Sequence, residues 1–355
     1  MGKCWPLTEK LKEKQGATAI IVALMIAVFL GFAALAVDIG YVMVTRNELQ
    51  NVADSAALAA TRKLGTIYEP MSYAEQSAYV CDPAPLIATA QNVALSNKAA
   101  GVNIVVNSED IIVGRWDYKT KTLMPNLNQP DAVRIIARRD DFANNPITTF
   151  FARIFGTNTV ALTAHATAAL TGESTIDKGK LIPVGISEQW FLNKEVFCNN
   201  PIKFYPTNSP EGCAGWNTFD RWPASESYLR KDILEGMAAE PAAFTAPEAE
   251  VGDKFVFIGG TLGEQTFNAF LNLYLKFRDP LSHIWEANVV VYKADSCSNP
   301  SGESEILGFA TVFITNVEPP PTQTIEGIVI CDNCIPSRGS GGQYSTKGSI
   351  PELVE

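Results

Sequence analysis

Between Ala17 and Val37 the chain runs for 21 residues without a charge, ATAIIVALMIAVFLGFAALAV. At 1.5 Å per residue a helix of that length covers about 30 Å, the thickness of a bilayer's hydrocarbon core. The segment before it carries Lys3, Lys10, Lys12 and Lys14 against Glu9 and Glu13, a net +2. Basic residues stay on the cytoplasmic side, which predicts a single-pass inner-membrane protein with its N-terminus in the cytoplasm and its body in the periplasm. The whole chain nets −10, so the part beyond Val37 must carry −12. That acidic balance excludes a nucleic-acid binder, which needs basic surface to displace counterions. The only two histidines, His165 and His283, lie far apart in sequence, which leaves no motif of paired imidazoles.

Two other fates of the apolar run can be weighed. Ala34-Leu35-Ala36 fits the small-x-small rule for signal cleavage after Ala36, but the run is longer than the 7–15 residues of a signal peptide core. Prepilin processing cuts after a glycine and places a glutamate five residues on; Gly16 is so placed, yet the fifth residue after it is Ile21.

Helical spacing continues past the membrane surface. Leu49, Val52, Ala53, Ala56, Ala60 and Leu64 recur every three or four residues, with polar side chains largely on other faces. Arg62 and Lys63 suit the negative end of a helix dipole, and Gly65 suits a C′ position. One helix is therefore expected from about residue 17 to 64. Its alanine-rich stripe permits close packing, against its own domain or laterally against partner subunits.

Taken in order, Gly16-Ala17, the apolar run, Val37-Asp38-Ile39-Gly40 and Leu49-Gln50-Asn51-x-Ala53-Asp54-x-Ala56-Ala57-Leu58-Ala59-Ala60 resemble the N-terminal segment of TadG-like proteins. Those are membrane-anchored components of the Tad (tight adherence) or Flp pilus system. The pieces Val113-Gly114-x-Trp116-Asp117, Ala132-Val133-Arg134, Phe150-Phe151-Ala152-Arg153-Ile154-Phe155-Gly156 and Ala164-x-Ala166-Thr167-Ala168 extend the resemblance to about residue 172. It implies an uncleaved anchor, other Tad/Flp assembly proteins as partners, and anchor-segment residues Gly16, Asp38, Gly40, Leu49, Gln50 and Asp54. The adhesion motif D-x-S-x-S of longer relatives is absent; Asp295-Ser296-Cys297-Ser298-Asn299 departs from it at two serines.

The expected fold class is α+β. Residues 1–16 form a basic stem, 17–37 the span, 38–65 its helical continuation, 66–172 an α+β domain, 173–336 a β-rich domain and 337–355 a flexible tail. In the α+β domain, Asp82-Pro83 starts a helix, and strands are expected at Asn103–Val106, Ile111–Tyr118, Val133–Ala137 and Thr159–Thr171. Beyond it, strands are expected at Leu181–Ile186, Lys254–Ile258, Asn288–Tyr292, Ile306–Ile314 and Thr324–Ile330. A helix is expected at Gln265–Phe277. Glu318–Thr322 reads as a stiff linker.

Cys4 precedes the span, whereas Cys81, Cys198, Cys213, Cys297, Cys331 and Cys334 follow it. Six cysteines on an oxidising side suggest a disulfide framework. Proximity suggests Cys198 with Cys213, and Cys297 with Cys331 or Cys334, leaving Cys81 unpaired or bonded to a partner. Cys331-Asp332-Asn333-Cys334 has the C-x-x-C spacing of a thiol redox centre, but no helix follows to lower a thiol pKa. Trp216, Phe219 and Trp222 form an aromatic group that could line a glycan platform or anchor a loop. Asp131, Asp140 and Asp141 lack calcium-loop spacing and read as solvated charge. His165, in an alternating strand, reads as structural.

No nucleophile elbow, P-loop or nucleotide-binding glycine motif occurs. The chain reads as a non-enzymatic accessory of Flp/Tad pilus assembly, with no cofactor. Its alternatives are an envelope-anchored adhesin or ligand-binding module, and an exported thiol oxidoreductase using the CDNC motif.

Overall fold

The apolar run lies inside one α-helix, α1 (Leu7–Tyr68), 62 residues and about 93 Å long. The computed structural model describes residues 7–193, 198, 200–204, 213–260, 262–297, 300–319, 321–331, 333–344 and 346–355. None of the most apolar window of α1 is buried, and the helix is long and apolar enough to cross a membrane. Beyond Val37 the expected stripe is covered: Leu49, Ala53, Ala56, Ala60 and Leu64 are fully buried and Val52 nearly so, and Ala57, outside the expected stripe, is buried with them.

The helix runs past Gly65, which does not cap it. A Cβ at that position would lie 2.2 Å from the Ser349 carbonyl oxygen, so the glycine serves close packing rather than termination. The stop comes at Glu69-Pro70, where proline disfavours helical geometry in the residue before it.

The chain divides into two compact units, each built from interleaved segments. The first comprises Met1–Ala56, Ala88–Ile111 and Ile135–Ala166; the second comprises Ala57–Ile87, Ile112–Arg134 and Thr167–Glu355. Helix α2 (Ala84–Leu95) buries Leu86, Ala90 and Ala94.

Four strands longer than two residues follow up to Ala169: β1 (Ile111–Asp117), β2 (Thr122–Pro125), β3 (Ala132–Arg139) and β4 (Leu162–Ala169). β2 falls between two of the expected strands and is hairpinned onto β1. The predicted Thr159–Thr171 strand is broken into Thr159–Val160 and β4.

Within the second unit, β5 (Leu181–Ser187), β6 (Pro201–Phe204), β7 (Ala214–Asn217), β8 (Lys254–Ile258), helix α3 (Glu264–Phe277), β9 (Trp285–Tyr292), β10 (Gly302–Glu318) and β11 (Thr324–Ile330) follow in turn. They pair in the order β6-β11-β10-β8-β7-β5-β9, and a further β9–β10 pairing closes five of them into a ring. The 17-residue β10 makes this possible: Gly302–Glu305 pair with β8, and Ile306–Ile314 with β9. All neighbours are antiparallel except β5 and β9.

Helix α3 carries Glu264 in its first turn and Lys276 in its last, matching the helix dipole. It buries Phe267, Phe270, Leu273 and Tyr274 in the same apolar cluster as the ring strands, and Trp216 of β7 packs edge-on against both phenylalanines. Leu275 on the same helix is half exposed.

The C-terminal segment is ordered, contrary to the flexible tail expected over 337–355. β12 (Asn333–Arg338) runs parallel to β13 (Thr346–Ile350), and β14 (Glu352–Leu353) pairs with β4. β14 completes a five-stranded sheet of order β14-β4-β3-β1-β2. The Gly-Ser content reflects tight packing. Gly341 and Gly172 exchange backbone bonds with each other's segments, and a Cβ on Gly341 would lie 2.0 Å from the Glu173 carbonyl oxygen.

Candidate functional site

From residue 18 onward, Asp38 is the first buried residue along α1, one position after the uncharged run ends. Its carboxylate accepts backbone N–H bonds from Phe150 (2.7 Å), Phe151 (3.0 Å) and Ala152 (2.6 Å). Those donors open a short 3-10 turn, Ala152–Phe155, whose own N-cap residue, Phe151, supplies no side-chain acceptor. An acid 112 to 114 positions away in sequence therefore does the capping. Burial pushes the Asp38 carboxyl up, but the three donors and the nearby Arg153 outweigh it and hold the group below its ordinary range. Tyr41, one turn on, packs edge-on against Phe150 at 5.2 Å.

The other anchor-segment residues also have definite partners. Gln50 donates to Asp54 (2.8 Å) and to the His165 carbonyl (2.9 Å), so Asp54 orients an amide that ties α1 to β4. Leu49 is fully buried beside them in sequence, whereas Gly16 and Gly40 are helical positions. Glu48, which sequence reasoning passed over, accepts from the Ala100 N–H at 2.6 Å. His165 lies exposed on its strand.

The disulfides are Cys198–Cys331 and Cys213–Cys297, neither of them the expected pairing. Proximity in sequence misled because β11 pairs with β6, which follows Cys198, and because ring closure joins distant segments. Cys334, expected in a disulfide, is a free buried thiol, as is Cys81. Burial pushes the Cys334 thiol up to about 12, and Cys331 is bonded elsewhere. The C-x-x-C pair is thus held as one half-cystine and one protonated thiol, the reverse of what a redox pair needs. Asp332 lies outside the described residues, as do Ser298 and Asn299 of the D-x-S-x-S-like stretch. Cys297 of that stretch is one of the disulfide sulfurs.

Two of the aspartates read as solvated are buried. Asp131 accepts the Trp116 N–H (2.7 Å) and the Lys347 ammonium (2.8 Å), with both charged side chains almost wholly covered. Asp140 accepts turn N–H bonds from Phe142 and Ala143 and pairs with Arg138, which also bonds Asp110. A small cavity of about 80 Å³ lies in the second unit beside Asp131, Lys347, Tyr68, Gln76 and Cys334. The Gln76 amide exchanges two bonds with the Cys334 backbone, imitating a strand neighbour. No sequence pattern announces such a contact.

Of the aromatic group, Trp216 and Phe219 are core residues and Trp222 alone is exposed.

Comparison with known families gives two matches. Residues 16–63 match a family described as Flp pilus-assembly TadE/G-like, and residues 73–168 match one described as Tad-like Flp pilus-assembly. No curated protein and no solved structure matches the chain. The matched segments include Asp38, Gln50 and Asp54 together with the turn and strand they hold. The chain thus carries a TadE/G-like segment followed by a Tad-like Flp pilus-assembly segment.

Proposed function

We propose that the protein is an inner-membrane-anchored, periplasm-facing accessory of Flp pilus assembly that acts through protein–protein contacts. The observation carrying this reading is the join between the parts. A fully exposed apolar helix long enough to span a bilayer continues without a break into the buried stripe of a Tad-type domain. An anchor that continues as one helix into the first unit sets that unit's distance from the membrane, which a flexible linker would not do. The two disulfides and the ringed sheet supply a body that keeps its shape outside the cytoplasm.

Cross-linking in intact cells, followed by isolation of the full chain from solubilised membranes, tests this. The expected result is recovery of Flp pilus-assembly proteins above a control with an unrelated single-span protein. Recovery no different from that control would count against the proposal.

A further inference from the structure

The turn that Asp38 holds is unusual in what it exposes. Phe150 and Phe151 are 49 % and 41 % accessible, and Ile154 and Phe155 reach 75 % and 85 %. Five of the six residues from Phe150 to Phe155 are apolar, and the sixth is Arg153, whose guanidinium bonds the Phe150 carbonyl at 3.0 Å. Left in water, a cluster of this kind has no purpose that the first unit's own packing supplies.

Its position along α1 indicates what covers it. Between Lys14 and Arg46 the helix has 31 residues, and Asp38 alone among them is charged. That stretch is about 46 Å long, close to the 40–45 Å of a bilayer with its headgroup layers. Past Asp38, Ile39, Met43 and Val44 are again exposed apolar side chains. Asp38 and the turn bonded to it thus fall at the level of the outer interface, where aromatic side chains and arginine are favoured. A carboxylate at that depth is costly unless paired, and the three backbone donors satisfy it. The same bonds satisfy the turn's N–H groups, which lipid could not do.

We propose that Phe150–Phe155 is a second membrane contact, an interfacial wedge. Phe150, Phe151, Ile154 and Phe155 lie in the headgroup–acyl boundary of the outer leaflet, and Arg153 lies among the lipid phosphates. The occupant is the bilayer rather than a protein, because the cluster adjoins the span and is tied to it at the residue where the span ends. With α1 alone the body could rotate about the helix axis; a second contact off that axis fixes which face it turns toward a partner. This proposal rests on the anchor reading.

The test uses the full chain in a Cys4→Ser, Cys81→Ser, Cys334→Ser background with both disulfides intact, spin-labelled singly at Leu30→Cys, Phe155→Cys or Phe142→Cys, in vesicles of phosphatidylethanolamine and phosphatidylglycerol. Phe142 is as exposed as Phe155 (83 %) and lies in the same unit. Arg139 near it bonds the Ala99 carbonyl, and Ala100 bonds Glu48, about 15 Å further along α1 than Asp38. Collisions with oxygen, which concentrates in lipid, are compared with collisions with a water-soluble nickel chelate. Oxygen should dominate several-fold at positions 30 and 155, and the chelate at 142. Chelate dominance at 155 with oxygen dominance at 30 would overturn the wedge and leave the anchor standing. Chelate dominance at 30 would overturn the anchor reading itself. A label at 155 shielded from both reagents would mean that protein covers the turn, which also overturns the lipid assignment.

Discussion

Removing the Lys347 charge should unfold the second unit far more readily than its place near the C-terminus suggests. Lys347 Nζ lies 2.8 Å from an Asp131 oxygen, with 8 % and 7 % of the two side chains exposed. Lys347→Met keeps the length and apolar stem but leaves Asp131 buried with the Trp116 N–H and no cation. Breaking a buried pair from one side costs about 3–5 kcal/mol, because the remaining charge is uncompensated. For a body of this size about 2–4 °C is lost per kcal/mol, so the thermal midpoint should fall by roughly 6–20 °C. Asp131→Asn should cost a similar amount. The double variant should recover most of the loss, since replacing both partners of a buried pair is often nearly neutral. Near-UV circular dichroism of the four full-length chains in detergent, disulfides intact, reads this cycle. Single-variant midpoints within about 2 °C of the parent, or a double variant as unstable as the sum of the singles, would refute the reasoning.

Non-reducing peptide mapping should recover Cys198 linked to Cys331 and Cys213 linked to Cys297, with Cys81 and Cys334 as thiols; a Cys198–Cys213 peptide would contradict the fold of the second unit. Each bridge spans a long loop, 133 and 84 residues, so Cys198→Ser or Cys213→Ser should cost up to about 5 kcal/mol on the chain-entropy model, read by denaturant unfolding. Gly65→Ala should destabilise although alanine gains about 1 kcal/mol of helix propensity, because its Cβ meets the Ser349 carbonyl oxygen at 2.2 Å; a raised thermal midpoint would contradict the close approach. Burial pushes Glu173 up to about 7 from an ordinary 4.5, so the folded chain holds its proton more tightly than the unfolded one. That contribution, on the order of 3 kcal/mol, is present below about pH 4.5 and lost as pH rises through 7. Glu173→Gln should flatten this slope in thermal midpoints taken from pH 4.5 to 8, and an unchanged slope would assign it elsewhere.

The parts legible in the sequence are those with a periodic apolar pattern. Leu49 to Leu64 announced their burial because a helix repeats every three to four residues, and Lys254–Ile258 and Thr324–Ile330 are strands with the predicted limits. The ring was not legible, since its closure depends on β10 being long enough to pair with β8 and β9 in succession. Strands β12 and β13 hid because the glycines between and within them, such as Gly341 and Gly348, pack against neighbouring backbone, a composition that also suits a loose chain. The same long-range closure concealed the disulfide pairing. In the candidate site, Asp38 stood out through the family resemblance, but its partners lie more than a hundred residues away and no local pattern reports them. Asp131 and Asp140 were misread because exposure is the rule for aspartates; Asp140 has Arg138 two positions away, but only the fold buries it, and only the fold brings Lys347 to Asp131.

If this chain works in Flp pilus assembly, the amount of assembled pilin depends on it. Pili sheared from cells are quantified for a parent strain, a strain lacking the chain, and that strain supplied with either the full chain or residues 38–355 exported behind a cleavable signal. The account predicts loss of sheared pilin without the chain, recovery with the full chain, and little recovery with the unanchored body at equal protein level. Parental amounts of assembled pilin in the strain lacking the chain would contradict it.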